Sequence, residues 1–174
     1  MPETAAVDAP QLHVELRGVG KSFNGLPVLA DIDLTLEPGT VHALVGENGA
    51  GKSTLSKIIS GVYTADSGQL LVDGHAVSFT SPREALDRGI ATIAQELALV
   101  PELTVAENVF LGREPRTLGW INRRRLRKEY QAVAESTGFD LPADTVVGGL
   151  RTADQQKVEI MRALARGGSL IIMD

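Results

Sequence analysis

Three features of the sequence predict an α/β fold built around a phosphate-binding loop. The stretch "GENGAGKS", Gly46 to Ser53, fits G-x-x-x-x-G-K-[S/T] at every fixed position, with an apolar run before it and a helical run after it. Apolar and polar residues alternate over "LHVELRGV" and "VLADIDLTL", the period of half-buried strands. The chain closes on "SLIIMD", four apolar residues followed by Asp174, which reads as a buried strand carrying a carboxylate at its tip.

Taken in order, "MPETAAVDAPQ" lacks the basic-then-apolar order of a signal peptide and reads as a flexible tail over residues 1–11. The two alternating runs predict an antiparallel β-subdomain. "EPGT" is a turn, and "VHALVG" predicts a short buried strand leading into the glycine loop. "LSKIISGV" is helical and closed by Gly61. "DSGQLLVDGHAV" predicts a hairpin turning on Asp-Gly. "SPREALDRG" starts with a Ser cap and Pro at the first helical position. "IATIAQ" is a further short strand. After it the texture becomes helical. "TVAENVFLG" predicts a helix, as does "NRRRLRKEYQAVAESTG" with Asn122 as cap and Leu126, Tyr130, Val133, Ala134 and Thr137 on one face. The basic run "RRRLRK" is expected to be a solvated helix face. "DLPADTVVGG" is a loop, "TADQQKVEIMRALARGG" a helix and "SLIIMD" the last strand. Four regions result: the tail, a nucleotide-binding core with its β-subdomain over 12–95, a helical subdomain over 96–149, and a helix plus strand over 150–174.

Composition narrows the function classes. The chain has 174 residues, 43% hydrophobic and 22% charged, as an ordinary globular protein does. A net charge of −5 counts against a nucleic-acid-binding domain. Without cysteine there is no disulfide framework, thiolate metal site or cysteine nucleophile. No apolar stretch approaches the roughly 20 residues of a membrane helix, so a cytoplasmic protein is expected. The three histidines, His13, His42 and His75, lack metal-ligand spacing, and His42 is expected at the core or edge of its strand.

The glycine loop carries the chemistry. Gly46, Gly49 and Gly51 let the backbone turn tightly and aim successive N–H groups inward, and the following helix start favours an anion. Lys52 adds a full charge for the β- and γ-phosphates, and the Ser53 hydroxyl suits Mg²⁺. Asp174 then reads as the Walker B carboxylate that holds the metal. The ATP-binding set is Gly46, Glu47, Asn48, Gly49, Ala50, Gly51, Lys52, Ser53 and Thr54.

From about Leu12 to Asp174 the order of motifs resembles the ATP-binding subunits of ABC transporters. "GENGAGKST" is the Walker A form common there. "IATIAQELALVPELTVAENVFLGRE" is similar to the Q-loop region of the subfamily serving carbohydrate importers such as those for ribose, xylose and galactose. The resemblance implies an ABC-type P-loop NTPase that binds ATP and Mg²⁺. It makes Gln95 the Q-loop glutamine, which touches Mg²⁺ and the attacking water, so that Lys52 and Gln95 are the catalytic candidates and Ser53, Gln95 and Asp174 the metal ligands. It places Phe23 of "KSFNG" at the adenine-stacking position; a core Phe of the first hairpin is the alternative. It implies transmembrane permease subunits, a second ATPase half in tandem or as a dimer partner, and, indirectly, an extracytoplasmic sugar-binding protein. The location implied is peripheral, on the inner face of the cell membrane.

Family members continue past Walker B to a catalytic glutamate, a D-loop and a switch histidine. The chain is therefore expected to be the first ATPase half of a longer product, truncated in its core and inactive alone. The family's fold sets the strand after Walker B between the Walker A and Walker B strands, which implies a gap in the sheet here. Two other functions stay open: a soluble non-transport ABC ATPase, and a nucleotide-binding regulatory module. At the place of the family's L-S-G-G-Q signature this chain has "LRTAD", with Arg151 for Ser, Ala153 for the second Gly and Asp154 for Gln. Thr152 and Gln155 are spaced as a T-x-x-Q capping box.

Overall fold

A computed structural model of the chain describes residues 12–93 and 97–173. The predicted tail, Gln95 and Asp174 lie outside the described residues. The chain divides into two compact units, one reaching Ala91 and one running from Thr92 to Met173.

The first unit opens with strands β1 (Val14–Phe23) and β2 (Leu26–Leu36), paired antiparallel from Val14↔Leu36 to Phe23↔Leu26. Asn24 and Gly25 have positive φ, as a tight two-residue hairpin turn requires. The alternation reads out directly: Val14, Leu16 and Val19 are buried, while Arg17 and Ser22 face outward. Strand β3 (Ser67–Val72) pairs with the other edge of β1, and β4 (His75–Val77) follows through Asp73 and Gly74, both at positive φ. The sheet order is β2-β1-β3-β4. Gly68 permits the β1–β3 crossing, since a Cβ there would lie 2.4 Å from the Gly18 carbonyl. Helix α1 (Lys52–Ile59) buries Leu55, Ile58 and Ile59. Helix α2 (Pro82–Asp87) has the expected Ser81 cap, whose hydroxyl accepts from the Glu84 N–H.

One expectation fails in this unit. "VHALVG" is not a strand, and Val41 and Val45 are 99% and 91% exposed. His42 is likewise exposed rather than at a core or strand edge. A strand is held by neighbours that take its N–H and C=O groups. No described strand pairs with 41–46, so apolar content alone does not make it one.

Strand β5 (Ile90–Ile93), within which the division falls, pairs with β8 (Leu170–Met173) in a two-stranded sheet. The strand in "SLIIMD" forms as predicted, but only half-buried, with Met173 65% exposed. The second unit is mainly helical. Helix α3 (Val105–Val109) begins with a capping box between Thr104 and Glu107. The hairpin β6 (Arg116–Thr117) and β7 (Trp120–Ile121) follows; it turns on Leu118 and Gly119, whose residue types gave no strong turn signal. Helix α4 (Arg123–Thr137) has its Asn122 cap accepting from Arg125 N–H and ends at Gly138 in the left-handed conformation. Arg123, Arg124, Arg125, Arg127 and Lys128 are exposed, as a solvated face should be, with Leu126 buried among them. A single 3-10 turn (Val147–Gly149) lies in the predicted loop before helix α5 (Thr152–Ala165).

The core of this unit joins Val105, Val109, Leu126, Tyr130, Val158 and Met161 from three helices with Val147 of the turn. Each such aliphatic side chain, fully buried, contributes about 1.5–3 kcal/mol. The Tyr130 hydroxyl donates to Leu141 O at 2.5 Å, and burial pushes its pKa up to about 12. Asn108 is fully buried with all its polar capacity used. Its amide donates to Val100, Leu103 and Thr104 carbonyls, and its oxygen accepts from Val100 N–H.

Candidate nucleotide-binding site

The phosphate loop is a tight backbone turn delivered onto α1. Gly49 and Gly51 have φ of +86° and +88°, and Ala50 N–H donates to Glu47 O at 3.2 Å. Gly51 occupies the cap position of α1 and accepts from Leu55 N–H at 2.9 Å. Only glycine suits it, because a Cβ would sit 2.6 Å from Leu29 Cδ2 and 2.9 Å from Val28 O. Packing against β2 therefore fixes the start of the helix. The early amides of α1 are the ones a helix leaves without internal partners, and its first turn carries no acidic residue. Negative charge is favoured there.

Lys52 folds back over the loop. Its ammonium donates to Gly46 O at 2.9 Å and Glu47 O at 2.8 Å. A cation held by two loop carbonyls can exchange them for phosphate oxygens with little movement of its stem. Asn48, exposed at the tip, Ser53 and Thr54 complete the stretch. The donor set is thus backbone N–H groups, one ammonium and the Ser53 and Thr54 hydroxyls, with Glu47 the one carboxylate of the stretch. It fits a polyphosphate, and the Ser53 hydroxyl fits its metal ion. Of the predicted metal ligands, Gln95 and Asp174 lie outside the described residues.

Phe23 stands at the end of β1, 36% exposed, which argues against a core role. Its ring meets Tyr63 edge-on, with centroids 5.2 Å apart and planes at 66°. Lys21 lies 5.6 Å above the Phe23 ring and pairs with Asp66 at 2.5 Å. That hydrogen bond from Lys21 holds the Asp66 carboxyl below its ordinary pKa. Sequence reasoning missed Tyr63; its place soon after a glycine-ended helix gave no signal by itself.

At the signature position the expected capping box is absent. Arg151 takes the cap position, no side chain caps the helix, and the Gln155 amide donates instead to Val147 and Leu150 carbonyls at 3.2 and 3.3 Å. The preceding 3-10 turn leaves those carbonyls facing Gln155, which outcompetes the reciprocal cap. Arg151 is 91% exposed at its side chain and pairs with Asp154 at 3.6 Å. Asp154 accepts from Lys157 at 2.7 Å, and this bond first, with the nearby Arg151 charge, lowers its pKa. The site sequence reasoning overlooked altogether is on the same helix. Glu159 and Arg162 are buried, and they bond the N–H and the C=O of Ala98 respectively.

The family model described as ABC transporter matches residues 29–174. An arabinose import ATP-binding protein of Yersinia pestis is 48% identical over 171 residues, 98% of this chain and 33% of the relative. A putative ribose/galactose/methyl galactoside import ATP-binding protein of Burkholderia cenocepacia is 49% identical over 174 residues, 99% of this chain and 33% of the relative. The chain thus spans about a third of the length of these curated relatives. Among solved structures, a nucleotide-free ATP-binding cassette from an ABC transporter superposes with a TM-score of 0.74 at 25% identity, covering 94% of this chain and 68% of that one.

Proposed function

The chain belongs to the ABC transporter family, and from that premise we propose that it is the first ATP-binding half of a sugar-importing ATPase. The observation that carries the reading is the loop itself: Lys52 poised on the Gly46 and Glu47 carbonyls at the start of a helix without acidic residues. Bound ATP supplies the phosphoanhydride. Lys52 and the loop amides neutralise and orient its phosphates, and Ser53 holds the Mg²⁺. Phe23 offers its exposed face to the adenine, backed by Tyr63. On the family resemblance, Gln95 and Asp174 would hold the metal ion, and Gln95 the attacking water. Hydrolysis needs residues beyond this stretch and a second ATPase half. Permease subunits receive the motion, and an extracytoplasmic binding protein delivers the sugar to them. The names of the relatives support the sugar class.

The two halves are unequal on this reading. The family's signature offers a hydroxyl and glycine amides to the partner's γ-phosphate. Here Asp154, kept ionised by Lys157, puts a negative charge at the start of α5. ATP facing this signature is hydrolysed slowly. The productive site joins this chain's own phosphate loop to the signature of the partner half. The test is reconstitution of the full-length protein with its permease in vesicles, assayed for ATP-dependent uptake of pentoses and hexoses. Lys52→Ala is expected to abolish most turnover and uptake, and Arg151→Ala to change them little. Equal damage from both would end the asymmetry, and uptake of no sugar by the intact assembly would end the importer reading.

A further inference from the structure

Glu159 and Arg162 form an ion pair one helical turn apart on α5, at 2.5 Å, with the two residues 6% and 9% exposed. Buried ion pairs are poor devices for stability alone, because desolvating two charges offsets much of their attraction. Apolar residues of similar volume would serve the core at least as well. What this pair does besides is grip the backbone of one residue in another segment. Glu159 Oε1 accepts from Ala98 N–H at 2.9 Å, and Arg162 Nη1 donates to Ala98 O at 2.7 Å. The Ala98 side chain itself is exposed, so the grip is not a by-product of burying a methyl group. The N–H and C=O of one exposed residue, which belong to the two successive peptides flanking it, are thus taken by two charged side chains of one helix.

The two ends of this arrangement matter. Helix α5 starts at Thr152, within the signature position, so the pair sits two turns along the helix that carries the signature. Ala98 lies three residues after Gln95 in sequence. The segment is fixed again further on, where Val100 bonds Asn108 in both directions at 2.8 and 2.9 Å. The far end of α5 has its own tether, as Arg166 donates to Leu111 O and Arg113 donates to Arg166 O. Contacts from the middle of the helix to its C-terminal end therefore bind it to the same stretch of chain, residues 98–113.

We propose that Glu159 and Arg162 are positioning residues that clamp the backbone N–H and C=O of Ala98, so that the segment following Gln95 and the signature helix α5 shift as one body when nucleotide binds. This rests on the ATP-binding reading above. The pair touches neither phosphate nor metal; it acts through the backbone it holds. A charged two-point grip suits the task better than apolar packing, because it fixes direction as well as distance and has a defined broken state.

Hydrogen exchange on the full-length protein, with and without Mg·ATP, tests this. In the wild type, nucleotide should change exchange in residues 97–103 and in the first two turns of α5 together, each by about fivefold or more. In Arg162→Gln the response of 97–103 should persist while that of α5 falls to under about twofold, with the phosphate loop still protected by ATP. Glu159→Gln, which keeps an acceptor for Ala98 N–H but loses the charge, is the second variant and should uncouple the segments partly. Arg162→Lys should restore part of the α5 response. If α5 responds fully in folded Arg162→Gln and Glu159→Gln proteins, the clamp does not couple the segments. If every response, including that of the phosphate loop, declines only in step with melting temperature, the pair is structural and the proposal is overturned. Failure of the underlying reading looks different: Mg·ATP would then leave residues 46–57 of the wild type unchanged, and the proposal would fall with it.

Discussion

Two irregular stretches of this chain have opposite fates. Residues 41–50 are exposed throughout, their apolar side chains included, and hold their form only at the glycine turn. Residues 97–111, equally poor in regular structure at their start, are bound by buried side chains: Asn108 across Val100, Leu103 and Thr104, and the Glu159–Arg162 pair across Ala98. The difference is where backbone groups find partners. In the first stretch the motif needs glycine conformations, the Lys52 ammonium and the start of α1, so the loop forms although no described strand pairs with 41–46. In the second, buried side chains, Asn108 of the stretch itself and Glu159 and Arg162 of α5, supply what a sheet would.

This contrast is sharpest under mutation. Asn108→Ala deletes the partners of three carbonyls and one N–H inside the second unit and should cost about 3 kcal/mol, read from denaturant unfolding. Gly51→Ala is the phosphate-loop change with a comparable effect, roughly 2 kcal/mol or more, since φ is +88° and the new Cβ meets Leu29. A Gly51→Ala protein that melts like the wild type would show that the loop is not seated on β2.

Tyr130→Phe leaves Leu141 O without its partner and should cost about 1–2 kcal/mol. It should also change the pH profile. The folded phenol titrates at about 12, against roughly 10 in an unfolded chain. The raised value means this contribution is complete below pH 10 and is lost as pH rises from 10 to 12. The melting temperature of wild type should therefore fall across that window, and the Phe variant should lack that part of the slope. Lys52→Ala should have the smallest effect on the fold, within about 0.5 kcal/mol, because its bonds are to carbonyls of an exposed loop. A large stability loss from Lys52→Ala would blur the distinction between the two stretches.

The same contrast explains what the sequence made legible. Elements specified locally are read correctly: the Ser81 and Asn122 caps, the Asp73-Gly74 turn, the alternation of β1 and β2, and the glycine turn into α1. Those that depend on a distant partner are not. "VHALVG" has the composition of a strand, but composition does not supply a neighbour. Thr152 and Gln155 have the spacing of a capping box, but the turn before them offers Gln155 other carbonyls. Glu159 and Arg162 look like any i, i+3 surface pair, and only the fold reveals that both are buried on Ala98. Gln95 and Asp174 rest on motif alone, since both lie outside the described residues.

The loop from Gly46 to Thr54 is proposed to bind Mg·ATP through Lys52. Isothermal calorimetry of the full-length protein and its Lys52→Ala variant, both verified as folded by their melting curves, measures this directly. Loss of a charge-assisted contact worth about 1.5–3 kcal/mol predicts a Kd raised by about ten- to a hundredfold in the variant. The same Mg·ATP affinity in both proteins, or no binding by the wild type, would contradict the account.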